Sequence, residues 1–265
     1  MNHTFSTTTA FFIIILFTAC QKVINLNLRT APAKYVIEGN VTNLPGPYQV
    51  TISQTGAVES KYSFNGVSQA NVSIRDNAGN SETLREVQPG VYQTATLRGV
   101  EGRRYDLTIR IGENSFTSTS TMPQQVNLDS LYTEQIYNFS KMVTAVVPLF
   151  TDPVGKGNCY RFNQYINGNL DRTLYGENDD FTDGKRATWA LLRPDPDSTL
   201  HPGDRVDVEM QCIDRPVYDY WFSVDQASLG DDGGSQPGNP VTNIQGGAMG
   251  YFSAHTAQTK TILIK

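Results

Sequence analysis

Glu177, Asp179, Asp180 and Asp183 gather four carboxylates in one short loop bounded by Gly176 and Gly184. Hard cations such as calcium take loops of this kind, because carboxylates and backbone carbonyls supply several oxygen ligands at once. The spacing does not follow the EF-hand pattern, so a solvated acidic loop is the competing reading. Covalent catalysis finds less to work with. Past the first residues the histidines are His201, just before Pro202, and His255, after a strand-like run. Neither lies in H-E-x-x-H, and the chain carries no G-x-S-x-G elbow and no P-loop. Such catalysis needs a base held against a nucleophile, and no such pair stands out. A non-enzymatic chain without a cofactor is the expectation.

Aromatic residues offer binding chemistry instead. Tyr218, Tyr220, Trp221 and Phe222 crowd one stretch. Val217, Tyr220, Trp221 and Val224 recur at helical spacing and form an inward stripe. Tyr218 falls off that stripe and is the candidate partner contact, since large rigid rings dominate binding hot spots.

Cys20 carries a different chemistry. It follows the apolar run Phe11–Phe17 and the small residues Thr18 and Ala19. The run is too short to span a bilayer stably, which takes about 20 apolar residues. A short apolar core, small residues and a cut site make an export signal. A cysteine directly after the small residue is the pattern of a bacterial lipoprotein leader. Residues 1–19 are then a signal peptide, Cys20 is the lipidated first residue, and 20–30 form a tether that binds the membrane through acyl chains. An ordinary signal peptide that happens to contain a cysteine is the competing reading. With Cys20 lipidated, Cys159 and Cys212 remain for an oxidising compartment, either as a disulfide or as two separate buried thiols.

These residues need a frame. At 38% hydrophobic and 18% charged, the chain has a folding composition and not a disordered one. A net charge of −5 argues against nucleic acid, which calls for clustered Lys and Arg. Abundant Thr, Ser, Tyr, Val and Gly favour strands. Tyr105, Leu107, Ile109 and Ile111 alternate with Asp106, Thr108 and Arg110 as a half-buried strand does. Turn chemistry recurs at Asp76-Asn77-Ala78-Gly79-Asn80, Pro89-Gly90 and Gly112-Glu113-Asn114.

The fold class expected is therefore mainly β. Residues 31–123 form an immunoglobulin-like or transthyretin-like β-sandwich, and 126–265 form a second β-rich domain with one amphipathic helix. Asp214 caps that helix, Pro216 suits its first turn, and it ends near Ala227 or Ser228. Met249 to Ala254 and Thr259 to Ile264 are expected as a closing pair of strands.

Several segments carry a resemblance to a known family. They are Cys20 to Leu26, Val36-Ile37-Glu38-Gly39 through Pro45-Gly46-Pro47-Tyr48, and Pro89-Gly90-Val91-Tyr92. Val217-Tyr218-Asp219-Tyr220-Trp221 and Asn239-Pro240 through Gly246-Gly247-Ala248-Met249-Gly250-Tyr251-Phe252 complete the set. Together they resemble domain-of-unknown-function family 4249, lipoproteins of Bacteroidota. The resemblance implies an outer-membrane lipoprotein encoded beside a TonB-dependent receptor and acting in nutrient uptake, and it supplies no catalytic residues. A structural or adhesion lipoprotein without a transport partner is the alternative. Asn25 and Asn27 stand where the family commonly has acidic residues, which leaves the cell surface and the periplasmic face both open. Ser130, in Asp129-Ser130-Leu131, and Ser198, in Asp197-Ser198-Thr199, match the short O-glycosylation pattern of exported proteins in those bacteria.

Overall fold

Alternation along the long strands sends every second side chain into a core, and this stacks the chain into three sheets. The structure, a computed structural model, describes residues 33–56, 65–139, 141–195, 197–228 and 239–265. The expected signal peptide (1–19), Cys20 and the expected tether (20–30) lie outside the described residues.

The first half contributes β1 (Tyr35–Thr42), β2 (Gln49–Gln54), β3 (Asn71–Asp76), β4 (Ser81–Thr83) and β5 (Arg85–Gln88). It continues with β6 (Val91–Gln93), β7 (Arg104–Ile111) and β8 (Asn114–Thr121). The second half adds β9 (Leu128–Asn138), β10 (Lys141–Thr151), β11 (Cys159–Ile166), β12 (Asn169–Leu170), β13 (Tyr175–Asn178) and β14 (Arg186–Thr188). It ends with β15 (Arg205–Ile213), α1 (Arg215–Ser228), β16 (Ile244–Gln245) and β17 (Met249–Leu263).

The largest sheet runs β12-β11-β15-β17-β1-β2-β6-β5, with β13 also on β11. A five-stranded sheet runs β16-β8-β7-β3-β4 and a three-stranded sheet runs β14-β10-β9. The result is mainly β, with sheets packed face to face as sandwiches.

Two cores lie on one face of the nine-stranded sheet. In the first, Ile37, Ile52 and Phe252 meet Val72, Ile74, Leu107 and Ile109 of the five-stranded sheet. In the second, Tyr160, Phe162, Val208 and Met210 meet Val146, Phe150 and Ala187 of the three-stranded sheet. Phe252 and Ala254 share strand parity with Thr256, which pairs with Cys212 of the second core, so both small sheets cover the same side. The helix takes the other side, over Cys159 and Ile213.

β17 joins the two halves. It pairs in parallel with β1, Val36 opposite Met249, and antiparallel with β15, Cys212 opposite Thr256. Gly250 sits at φ +99 with its α-carbon pressed on β1; a Cβ there would lie 2.0 Å from the Ile37 carbonyl oxygen. The expected division between 31–123 and 126–265 falls where the chain passes from one core to the other. Ile244, Ala248, Phe252 and Ala254 then return to the first core, and Ala33–Lys265 form one compact unit.

The closing pair of strands is instead one continuous strand of 15 residues. Hydrogen bonds hold its polar middle: Ser253 Oγ lies 2.9 Å from His255 Nδ1, and Gln258 Oε1 accepts the Leu128 N–H at 3.0 Å. Hydrogen bonds of this kind let polar side chains remain in a buried strand.

Candidate functional site

The helix side of the nine-stranded sheet carries the chain's polar and aromatic chemistry. The helix begins where the sequence places it. Asp214 Oδ1 accepts the Val217 N–H at 3.4 Å, a long N-cap contact. Its other oxygen accepts the Ser120 hydroxyl at 2.9 Å and the Thr121 N–H at 2.8 Å, tying the helix start to β8. Burial pushes the Asp214 pKa up, opposed by these hydrogen bonds.

Tyr218 is not the exposed contact expected of it. It is 8% exposed, with its ring over Gly176 and its hydroxyl accepting from Asn178 Nδ2 at 3.5 Å. The reason is the edge strand β13, which widens the buried arc of the helix beyond the stripe that spacing alone defines. Phe222, one turn on, stacks on Tyr218 with centroids 5.9 Å apart and remains 51% exposed. Of the two stacked rings, Phe222 is the one that reaches solvent.

Beside it, Arg161 of β11 lays its guanidinium 3.9 Å from the ring centroid of Trp221, a cation–π stack. The other neighbours of Trp221 are Tyr220 and Tyr251, at 5.2 and 5.0 Å between centroids. Arg161 pairs with Gly176 across β11 and β13, and the Tyr218 ring takes the space that a side chain at 176 would fill. A polar row continues along the sheet. Arg161 Nη1 donates to Gln211 Oε1 at 3.2 Å, and Gln211 Nε2 and Asn163 Nδ2 both donate to Glu209 Oε1, at 2.6 and 2.9 Å.

The result is a groove of about 200 Å³ lined by Arg161, Leu174, Tyr175, Gly176, Glu177, Trp221, Phe222 and Asp225. Three of these carry charge, and none of the three forms an ion pair among the described residues. Burial drives the Arg161 pKa down and the Glu177 and Asp225 pKa values up, each away from its charged form. Desolvated charges that lack an opposite charge are costly in a folded chain, and such groups cluster at functional sites. Arg161 and Asp225 were missed from the sequence. The available signal was a lone cation on an otherwise uncharged strand, Cys159–Ile166, opposite a glycine.

The proposed acidic metal loop does not converge. Asp179 Oδ2 accepts the N–H groups of Gly157 and Asn158 at 2.7 and 3.0 Å, and Asp183 Oδ1 accepts the Gly155 N–H at 2.8 Å. These two carboxylates staple the neighbouring glycine loop, Asp180 is exposed, and Glu177 lines the groove. Among the described residues no group of three or more His, Cys, Asp or Glu could hold a metal ion.

Nor do Cys159 and Cys212 bridge; both are buried free thiols. They lie on paired strands one position out of register, Cys159 opposite Ile213 and Tyr160 opposite Cys212. Successive residues point to opposite faces, so Cys212 joins the second core while Cys159 packs under the helix.

His255 lies inside β17 and not after a strand. Its contact with Ser253 has the geometry of a nucleophile and base, but the two residues are only 1% and 4% exposed. Burial, with Arg161 adding to it, lowers the His255 pKa to about 3, so the ring is neutral at pH 7. Ser130 is half-buried in β9, and the Ser198 hydroxyl donates to Asp195 Oδ2 at 3.0 Å. Among the described residues no helix is long and apolar enough to cross a membrane.

No curated protein matches the chain. Among solved structures it is similar to a two fibronectin type-III domain segment from chicken tenascin, at 9% identity over 87% of this chain and 99% of that one. The TM-score is 0.26, too low to carry an argument. The family model described as Domain of unknown function (DUF4249) matches residues 21–261, and this chain belongs to that family.

Proposed function

We propose that this chain is a non-catalytic lipoprotein of the outer membrane, anchored through Cys20, that binds a ligand in the Arg161–Trp221 groove. It works as an accessory of a TonB-dependent receptor in nutrient uptake. The observation that carries the binding role is the groove itself, where one cation and two acids without ion-pair partners stand among aromatic walls. Sites of this make-up fix a ligand through a few polar groups set in an apolar surround. The buried Ser253–His255 pair has no comparable opening to substrate. The leader pattern of residues 1–19, directly before Cys20, supports the anchor, and an anchor confined to the membrane plane raises the effective concentration beside a membrane partner.

Co-purification from native membranes in mild detergent, followed by mass spectrometry, tests the partnership. A TonB-dependent receptor is expected in the eluate, and its absence sinks this reading. Cys20→Ser is expected to abolish signal processing and membrane partitioning; unchanged behaviour removes the anchor.

A second reading, an adhesion or structural lipoprotein, rests on the β9–β10 hairpin. Its tip exposes Tyr137, Phe139 and Met142, with Phe139 at φ 53. Alanine at Tyr137 and Phe139 separates the two readings: loss of surface attachment with receptor co-purification intact favours adhesion.

A further inference from the structure

The groove combines features that narrow its ligand. Arg161 and the acids Glu177 and Asp225 line one opening, and none of the three is ion-paired among the described residues. An anionic ligand that satisfied Arg161 would meet two carboxylates. A cation drawn to the carboxylates would meet the guanidinium. A purely apolar ligand would dry all three groups and give none of them a new partner, which is costly. A neutral molecule rich in hydroxyls fits all three, since each hydroxyl both donates and accepts. Its hydroxyls give hydrogen bonds to Glu177 and Asp225 and take them from Arg161.

The walls add a second constraint. Phe222 is the exposed ring, held flat by its stack on Tyr218. Trp221 already has one face occupied by Arg161. A flat, rigid ring bordered by polar groups suits a ligand with one face of C–H groups and a rim of hydroxyls. A pyranose ring has that shape. A zwitterion such as an amino acid also carries both kinds of partner, but the groove is open at Phe222. Ion pairs in contact with water contribute little, whereas ring stacking does not depend on sealing the site.

Resting on the binding role proposed above, we infer that the Arg161–Phe222 groove is a carbohydrate site that takes one neutral sugar ring of a longer glycan. The volume of about 200 Å³ lies below the range of roughly 300–1,000 Å³ usual for enclosed small-molecule sites, which suits a single ring better than a whole ligand. Further rings run along the same sheet face, over Asn163 and Glu209. Those residues share a face with Arg161 and are only partly buried.

An array of neutral oligosaccharides built from glucose, mannose, galactose and xylose, probed with the full chain, tests this. At least one glycan is expected to be retained. Calorimetric titration of that glycan should show at least a tenfold loss of affinity for Phe222→Ala and at least a threefold loss for Asp225→Asn. Both positions reach solvent, so the melting temperatures of both variants should match the parent. Tyr137→Ala, on the distant hairpin, should bind the glycan as the parent does. Retention of no neutral glycan overturns the inference, as does equal binding by Phe222→Ala and Asp225→Asn. Binding of free amino acids or dipeptides in place of glycans also overturns it. Receptor co-purification is a separate readout; if it succeeds while every glycan fails, only the ligand class is wrong.

Discussion

The two faces of the nine-stranded sheet use the same strands for opposite purposes. On one face Tyr160, Phe162, Val208, Met210 and Phe252 are sealed beneath two smaller sheets. On the other, the intervening residues Arg161, Asn163, Glu209, Gln211 and Tyr251 carry charge, amides and a phenol, and one helix covers only part of them. Strand alternation makes the division possible: each residue committed to the core frees its neighbour for polar chemistry. The core face is therefore sealed, and the helix face leaves polar groups open to the groove.

That contrast is sharpest in the core. Phe252→Ala removes a fully buried ring that packs against both β1 and the five-stranded sheet. The expected cost is about 3–5 kcal/mol, read from the urea midpoint of unfolding. A cost as small as that of an exposed-site change would break the comparison.

Next in size is a pH effect. The folded-state pKa of His255 is depressed to about 3, so between its ordinary value and 3 the unfolded chain binds the proton more readily. This stability is present above the ordinary histidine range and is lost as pH falls. From pH 7 to pH 5 the unfolding free energy is expected to drop by about 2 kcal/mol. Chemical denaturation across that range measures it, and His255→Gln should flatten the slope.

Asp214→Ala removes the helix cap and the acceptor for Ser120 and Thr121. A loss of about 1–2 kcal/mol is expected, with faster amide exchange in the first turn of α1 and little change in β7. The smallest effect belongs to Phe222→Ala. Its ring is half exposed, so stability should hold within about 0.5 kcal/mol by thermal melting.

Much of the frame was legible in the sequence because it follows from local pattern. The alternation of Tyr105, Leu107 and Ile109 gave β7, and Asp214 with Pro216 gave the helix start within one residue. What escaped depends on partners far away in the chain. Tyr218 looked exposed because helical spacing knows nothing of β13, whose Gly176 receives its ring. His255, Thr256 and Gln258 looked like an interruption, since no apolar pattern marks a polar strand buried between β1 and β15. Of the groove, Glu177 was singled out for a metal, whereas Arg161 and Asp225 drew no notice. An isolated arginine on a strand acquires meaning only once Trp221 is seen beneath it.

The position of β17 bears on the order in which the molecule can be built. Asn40 and Tyr251, which share a hydrogen bond, are 211 positions apart. During synthesis β1 is made long before the neighbour that completes it, so one of its edges stays open through most of the process. Unpaired edges invite pairing with other chains, and contacts between distant residues form slowly. A chain of this topology gains from being kept extended until residue 263 has emerged, and an escort that holds unfolded polypeptide would favour its correct assembly over tangling with its neighbours.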